Sequence, residues 1–386
     1  MKRFCRMRYW NSFEMIFVRR IIRAAANVAS YVIILLMHLH ACRLLAQYGE
    51  ESSTLLPQTQ LTLVCVLLVL QLPRVRKFPL LILLPANLWI VSHILREAPM
   101  QDIAKLYFLL ILVLMTYRYV VIPRGVFLSI HLITALFLTY ALALAQPVPH
   151  LGPYYMVLDH PINVNTIGIL GLACMMHWVS FFEMLRIKTE YRLLGQVLGI
   201  ILGLYYVLHS DCRSALAAAA VFLVLYLVIR KPMTPRVYQL LSLLVLSAMA
   251  IFPFAYIRLA KRFGDLTILG SDIFSGRQQL WETALERIRE SPLLGAGMSA
   301  TSSMHHILVE LALRFGVVAA ITFFVLCVQK EKRHGAHRFS RTAQIAFLAC
   351  MTVAFFESFF TDRYLNLFFL SFLLSAVRDK KTGDGS

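Results

Sequence analysis

Apolar stretches close to the length that crosses a bilayer recur from one end of this 386-residue chain to the other. About twelve can be read, near 25–46, 56–72, 78–95, 103–122, 125–145, 165–184, 193–209, 213–229, 237–256, 306–328, 342–359 and 363–378. In hydrocarbon a chain must satisfy its backbone hydrogen bonds internally, and apolar runs of this length do so as helices. The expected fold is therefore all-α, a polytopic integral membrane protein of about twelve transmembrane helices. A composition of 59% hydrophobic and 15% charged residues excludes both an ordinary soluble globule and a disordered chain. No internal repeat and no linker of domain size is visible, so 1–386 reads as a single membrane domain.

The net charge of +18 would suit a nucleic-acid binder, but its distribution argues otherwise. Lys and Arg gather in alternate connections, within 2–23, 74–77, 118–124, 186–192, 230–236, 330–341 and 378–381, while 47–55 and 146–164 contain neither. That alternation is the positive-inside pattern and puts both termini in the cytoplasm. The charge is topological, and nucleic acid is not an expected partner. Small residues (Ala24, Ala25, Ala26, Ala29) precede the first apolar run instead of following it, so an uncleaved anchor is expected rather than a signal peptide. Seven cysteines stand singly, with no Cys/His cluster, which supports neither a structural zinc nor a disulfide framework.

Two outward connections, 146–164 and 257–305, are longer than the rest. The second carries a readable helix. Ser275 and Gln278 form a capping-box pattern that leaves Arg277 in the first turn. Leu280, Trp281, Ala284, Leu285 and Ile288 share one face at helical spacing, and Ser291-Pro292 ends the helix. An amphipathic helix on the bilayer surface fits this pattern, as does a packing helix with a solvated arginine.

A few arginines remain on the far side of the membrane, and Arg213 and Arg277 are the informative ones. Each falls in the first turn of an outward-facing helix, where the macrodipole disfavours a cation by roughly 0.3–1 kcal/mol. A bound anion reverses that penalty, because a helix N-terminus with a guanidinium is a ready phosphate site. Arg213 follows Ser210-Asp211, either of which can cap its helix, and precedes the alanine-rich 216–220. An interfacial arginine, or one paired with Asp211, is the plainer account. His305 and His306 open the tenth expected span, where the dipole favours the neutral imidazole that a general base needs. His306, Glu310 and Arg314 then repeat at four-residue spacing on one face; a structural Glu310–Arg314 ion pair explains them as well as a wet cavity does. His160, Asn163 and Asn165 could bind sugar hydroxyls or simply form a polar loop end. Glu357, Asp362 and Arg363 mark the outer end of the eleventh span and are equally ambiguous. Two arginines and a histidine on one side of the membrane point to chemistry on a phosphorylated lipid.

Ser275-Gly276-Arg277, Trp281, Ser291-Pro292-Leu293-Leu294-Gly295-Ala296-Gly297 and a histidine heading a span together resemble the O-antigen ligase/polymerase superfamily. Asp211-Cys212-Arg213-Ser214-Ala215 is similar to its Ser-Arg-x-Ala element. His305, the next residue, a nine-residue interval and Gly316 resemble the lipid A core:O-antigen ligase branch. Three positions depart from the pattern: His306 stands where Asn, Ser or Gln is usual, Ala319 holds a small-or-tyrosine position, and Cys212 replaces a serine. The resemblance implies a GT-C-like membrane fold with a helical periplasmic loop. It further implies an inverting glycosyltransferase of the bacterial inner membrane, needing no metal, nucleotide or other cofactor. The donor would be an undecaprenyl diphosphate-linked glycan and the acceptor a sugar of lipid A core, both reached from membrane lipid. Arg213 and Arg277 would clamp the diphosphate, His305 would act as base, and Trp281, His306, Glu310, Arg314, His160 and Asn163 would contact substrate. A polymerase joining carrier-linked repeat units is the nearest alternative. The absence of a second large outer loop with arginine–glycine motifs favours the ligase. A transporter or flippase expects charged or broken helices near the midplane, and those are not evident.

Overall fold

The computed structural model describes residues 124–148, 154–264, 267–268, 271–272, 277–296, 304–321 and 341–357, with scattered positions between 17 and 42 and at 368 and 372. The expected spans at 56–72, 78–95 and 103–122 lie outside the described residues, as do Ser275, Gly276, Gly297, Asp362 and Arg363. Of the span at 25–46 a short helical run over 31–36 and a few further positions are described, and of 363–378 only Phe368 and Phe372.

The elements run α1 (Arg124–Ala143), β1 (Gln146–Pro147), β2 (Tyr154–Val157), β3 (His160–Asn163), α2 (Val164–Met184), α3 (Thr189–His209), α4 (Arg213–Val228), α5 (Pro235–Phe263), β4 (Thr267–Ile268), β5 (Ser271–Asp272), α6 (Arg277–Glu290), α7 (Ile307–Phe315) and α8 (Arg341–Val353). Four helices among the described residues, α1, α2, α3 and α5, are long and apolar enough to cross a membrane. The protein is thus a mostly helical integral membrane protein.

α2 is the central post. Its apolar window is 72% buried against 28–44% for the other three long helices, and it packs on α1, α3, α4 and α8. α3 approaches it closely through Gly195, Gly199 and Gly203, which face Phe182, Trp178 and Met175; a Cβ at Gly199 would come 2.5 Å from that of Trp178. The opposite face of α3 exposes Leu194, Leu198, Ile201 and Leu208, the surface that lipid covers. The three strands β1–β3 form an antiparallel sheet, whose β2–β3 turn places Leu158 and Asp159 at φ 50° and 66°, the geometry of a two-residue hairpin. At the far end of α4, Gln344 of α8 accepts from the Met233 amide at 2.8 Å and donates to its carbonyl at 3.2 Å, while the Arg341 guanidinium caps the Tyr226 and Ile229 carbonyls.

The tenth expected span does not run unbroken from 306. α7 is nine residues long and ends before Gly316, whose φ of 86° is open to glycine alone, and the helix resumes over 317–321. The break exists because another chain segment crosses there. The Ala296 amide donates to the Leu313 carbonyl at 2.6 Å and the Val317 amide to the Pro292 carbonyl at 2.7 Å. A side chain at Gly316 would overlap the Leu293 carbonyl, and one at Gly295 would lie 2.6 Å from the Arg314 carbonyl. The Pro-Leu-Leu-Gly-Ala segment after α6 is thereby braced, backbone to backbone, against the end of α7.

Candidate functional site

The site is built from the ends of helices that are distant in sequence. α6 begins at Arg277 and lies along α5 with Trp281, Ala284 and Ile288 buried, and Leu280 and Leu285 partly so. Trp281 is fully buried between Phe252, Tyr256 and His306, and its Nε1–H donates to the Met304 carbonyl at 2.8 Å. The Met304 amide donates to Glu310 Oε2 at 3.3 Å. Held on both sides, Met304 fixes the next residue, His305, in the left-handed region at φ 51°. A non-glycine residue in that conformation is strained, and such strain is retained where surrounding contacts over-determine it.

His305 does not begin the helix, contrary to the expectation that it opens a span. His306 is the N-cap of α7, and its imidazole is committed to structure: Nδ1 accepts from the Val309 amide at 3.2 Å and Nε2–H donates to the Met249 carbonyl at 3.1 Å. A ring that accepts at one nitrogen and donates at the other is neutral. The Ile307 amide donates to the Ala354 carbonyl at 3.2 Å, which ties the start of α7 to the end of α8.

That tie brings up Glu357, just beyond α8. Its Oε2 lies 2.9 Å from His305 Nδ1, and its Oε1 lies 3.3 Å from Arg277 Nη2 and 3.5 Å from Asn165 Nδ2. The Arg277 guanidinium also sits 5.8 Å from the centre of the Phe356 ring. With Nδ1–H donating to the carboxylate, His305 carries its lone pair on Nε2, the tautomer of a base oriented by an acid. One carboxylate thus joins an arginine 80 residues away, a histidine 52 away and an asparagine 192 away. The imidazole keeps 39% of its surface exposed and the carboxylate 11%, so the histidine is the reachable member.

Arg213 is the first residue of α4 and is exposed. Neither Ser210 nor Asp211 caps that helix: Cys212 occupies the N-cap, Ser210 Oγ donates to the Val207 carbonyl, and Asp211 turns the chain at φ 49°. Cys212 packs against α2, where a Cβ on Gly168 would lie 2.5 Å from its Cβ, one helical turn beyond Asn165. Burial, seconded by the negative charge of Glu357, pushes the Cys212 thiol up. The tip of α4 therefore stands on the same rim as Asn165 and Glu357.

The remaining sequence-predicted residues divide. Trp281, His306 and Glu310 are 0–1% exposed and are hydrogen-bonded inside the fold. Arg314 Nη2 pairs with Glu310 Oε1 at 2.9 Å, the structural ion pair of the plainer reading, and burial makes breaking it costly. Asn163 caps α2, its Oδ1 accepting from the Asn165 amide at 2.8 Å, and His160 pairs with Val157 in the sheet. Asn165 and Glu357 are residues that the sequence left ambiguous and to which it gave no part in a site with Arg277 and His305. Their only signal was a polar side chain at the outer end of an apolar run.

A cavity of about 560 Å3 adjoins His306. Its walls are apolar and include Pro253 and Phe254 of α5, Ile288 of α6, Ala312 of α7 and Ile321.

Residues 198–324, about a third of the chain, match the family described as O-antigen ligase, and this segment holds Arg213, Arg277 and His305. No curated protein and no solved structure matches the chain. That segment is similar to the O-antigen ligase family and supports a glycosyltransferase-like role in O-antigen assembly, as ligase or polymerase.

Proposed function

We propose that this protein is an O-antigen ligase, an inverting glycosyltransferase that moves a glycan from undecaprenyl diphosphate to a sugar hydroxyl of lipid A core. The reaction takes place on the periplasmic face of the bacterial inner membrane, with both termini in the cytoplasm. Arg277 and Arg213 hold the donor's diphosphate at two helix N-termini, where guanidinium and dipole act on the charge that develops on the leaving group. His305 Nε2 takes the proton from the acceptor hydroxyl. The acceptor oxygen bonds to the anomeric carbon as the bond from that carbon to the phosphate oxygen breaks, and the diphosphate leaves with the electron pair. The proton then passes from His305 to solvent or to the departing diphosphate. Charge stabilisation is supplied by the two arginines, so neither a metal ion nor a nucleotide is needed.

The observation that carries this reading is the meeting of Arg277 and His305 on Glu357, which puts a phosphate-binding cation beside a carboxylate-oriented base. The apolar cavity beside His306 supports it, being suited to the first isoprene units of a polyprenyl chain.

The test is transfer in vitro from purified undecaprenyl diphosphate-linked glycan, with lipid A core and carrier-linked repeat unit offered as separate acceptors and EDTA present. We expect product on lipid A core only. Arg277→Ala and His305→Ala should lower transfer by about 10²–10⁴-fold without loss of folded protein, and Arg213→Lys should be poorly tolerated because a point charge cannot replace a planar fork on a diphosphate. Product only on the carrier-linked acceptor would make the protein a polymerase, and undiminished transfer by Arg277→Ala would remove that residue from the site.

A further inference from the structure

We propose that Glu357 is a positioning residue that couples donor binding to the base: in the unliganded protein it occupies Arg277, and the donor's diphosphate displaces it toward His305. The inference rests on the ligase reading for the identity of the anion and adds a residue and a sequence of events to it.

Three observations lead there. First, Glu357 divides its oxygens, Oε2 to His305 at 2.9 Å and Oε1 to Arg277 at 3.3 Å and Asn165 at 3.5 Å. Second, Arg277 is enclosed, with its side chain 20% exposed, the Phe356 ring against its guanidinium and the carboxylate on Nη2. An anion that takes the guanidinium bidentately must compete with that carboxylate, because a planar fork presents a limited number of N–H groups to one side. Third, Glu357 follows α8, whose end is held by Ala354 to the start of α7, whereas Arg277 belongs to α6. Releasing Arg277 therefore leaves the carboxylate beside His305 and Asn165.

The electrostatic consequence has one sign. While Arg277 neutralises Glu357, the carboxylate supports an imidazolium only weakly. Once the diphosphate takes over the guanidinium, the carboxylate acts on His305 alone and a second negative group stands nearby. Both changes place more uncompensated negative charge beside the His305 ring. The carboxylate then holds the imidazole most firmly when a donor is in place. Without a donor the charges are mutually satisfied, which stabilises the empty site.

This separates Glu357 from a residue that merely supports the fold. Removing its charge should lower turnover and at the same time tighten donor binding, because Arg277 loses its competitor. A structural lesion weakens both. The experiment compares wild type, Glu357→Gln and Glu357→Asp as full-length protein in nanodiscs, measuring Kd for undecaprenyl diphosphate by direct binding, and kcat and donor KM for transfer to lipid A core. For Glu357→Gln we expect kcat to fall on the order of 10²-fold or more and Kd for undecaprenyl diphosphate to fall about threefold or more. Glu357→Asp, which keeps the charge on a shorter arm, should recover part of kcat and bring Kd back toward wild type. A Glu357→Gln protein that binds undecaprenyl diphosphate as wild type does, or more weakly, overturns the coupling while leaving the ligase reading intact. A wild-type protein that neither binds undecaprenyl diphosphate nor transfers from it overturns both. Should Glu357→Gln fail to fold, Glu357→Asp decides by itself: a kcat below that of wild type together with a Kd above it would refute the exchange.

Discussion

Gly316→Ala should uncouple α6 from α7. The native residue sits at φ 86° and ψ 162°, a region that side-chain-bearing residues avoid at a cost of about 1–3 kcal/mol. A Cβ there also overlaps the Leu293 carbonyl, which is backbone and cannot turn aside as a flexible side chain would. The segments must part, and the two braces, Ala296 to Leu313 and Val317 to Pro292, are stretched or lost. At about 0.5–1.5 kcal/mol each the braces add about 1–3 kcal/mol, for a total of roughly 2–6 kcal/mol. Because the same braces hold the end of α6 against the end of α7, and α6 carries Arg277 at its other end, the surviving folded protein should transfer about 10²-fold more slowly, the loss that goes with misplacing reacting groups by an ångström. The assay is the unfolding midpoint in detergent by fluorescence-detected size exclusion, with transfer measured on the folded fraction. Gly125→Ala is the control, since a Cβ there meets nothing within 4 Å. A Gly316→Ala protein with the midpoint and rate of wild type would refute the reasoning.

His306→Asn should keep the cap on α7, because Asn accepts well from a helix amide, but should lose the donor to the Met249 carbonyl. Stability should drop by about 1–3 kcal/mol with transfer retained within several-fold; an inactive, fully stable variant would assign the base to the wrong neighbour. Trp281→Phe leaves the Met304 carbonyl without its Nε1–H partner, and should lower the unfolding midpoint by an amount equivalent to about 1–3 kcal/mol while slowing transfer through His305. An unchanged midpoint with weakened donor affinity would instead make Trp281 a substrate contact.

Much of this protein is local, and so was legible along the chain. Hydropathy over a bilayer-length window identifies α1, α2, α3 and α5, because lipid selects for apolar length without regard to neighbours. The helix over Arg277–Glu290 follows from residues spaced within two turns of one another, and its end from Pro292. Arg277, Arg213 and His305 could be picked out because each lies beside a helix boundary or a short motif.

What the tertiary structure decided is pairing. Glu357 is an ordinary carboxylate at the end of an apolar run until α8 packs on α2, α4 and α5 and carries it to Asn165, Arg277 and His305. The same packing buries His306, Trp281 and Glu310 with hydrogen-bond partners that no local pattern announced. It also explains Gly316, which interrupts an apparently continuous apolar segment because another backbone passes through the space a side chain would fill. Periodicity reports which face of a helix is apolar. Only the packed bundle determines which helix ends meet, since that depends on contacts between residues tens to hundreds of positions apart, and the chemistry of this site resides in those meetings.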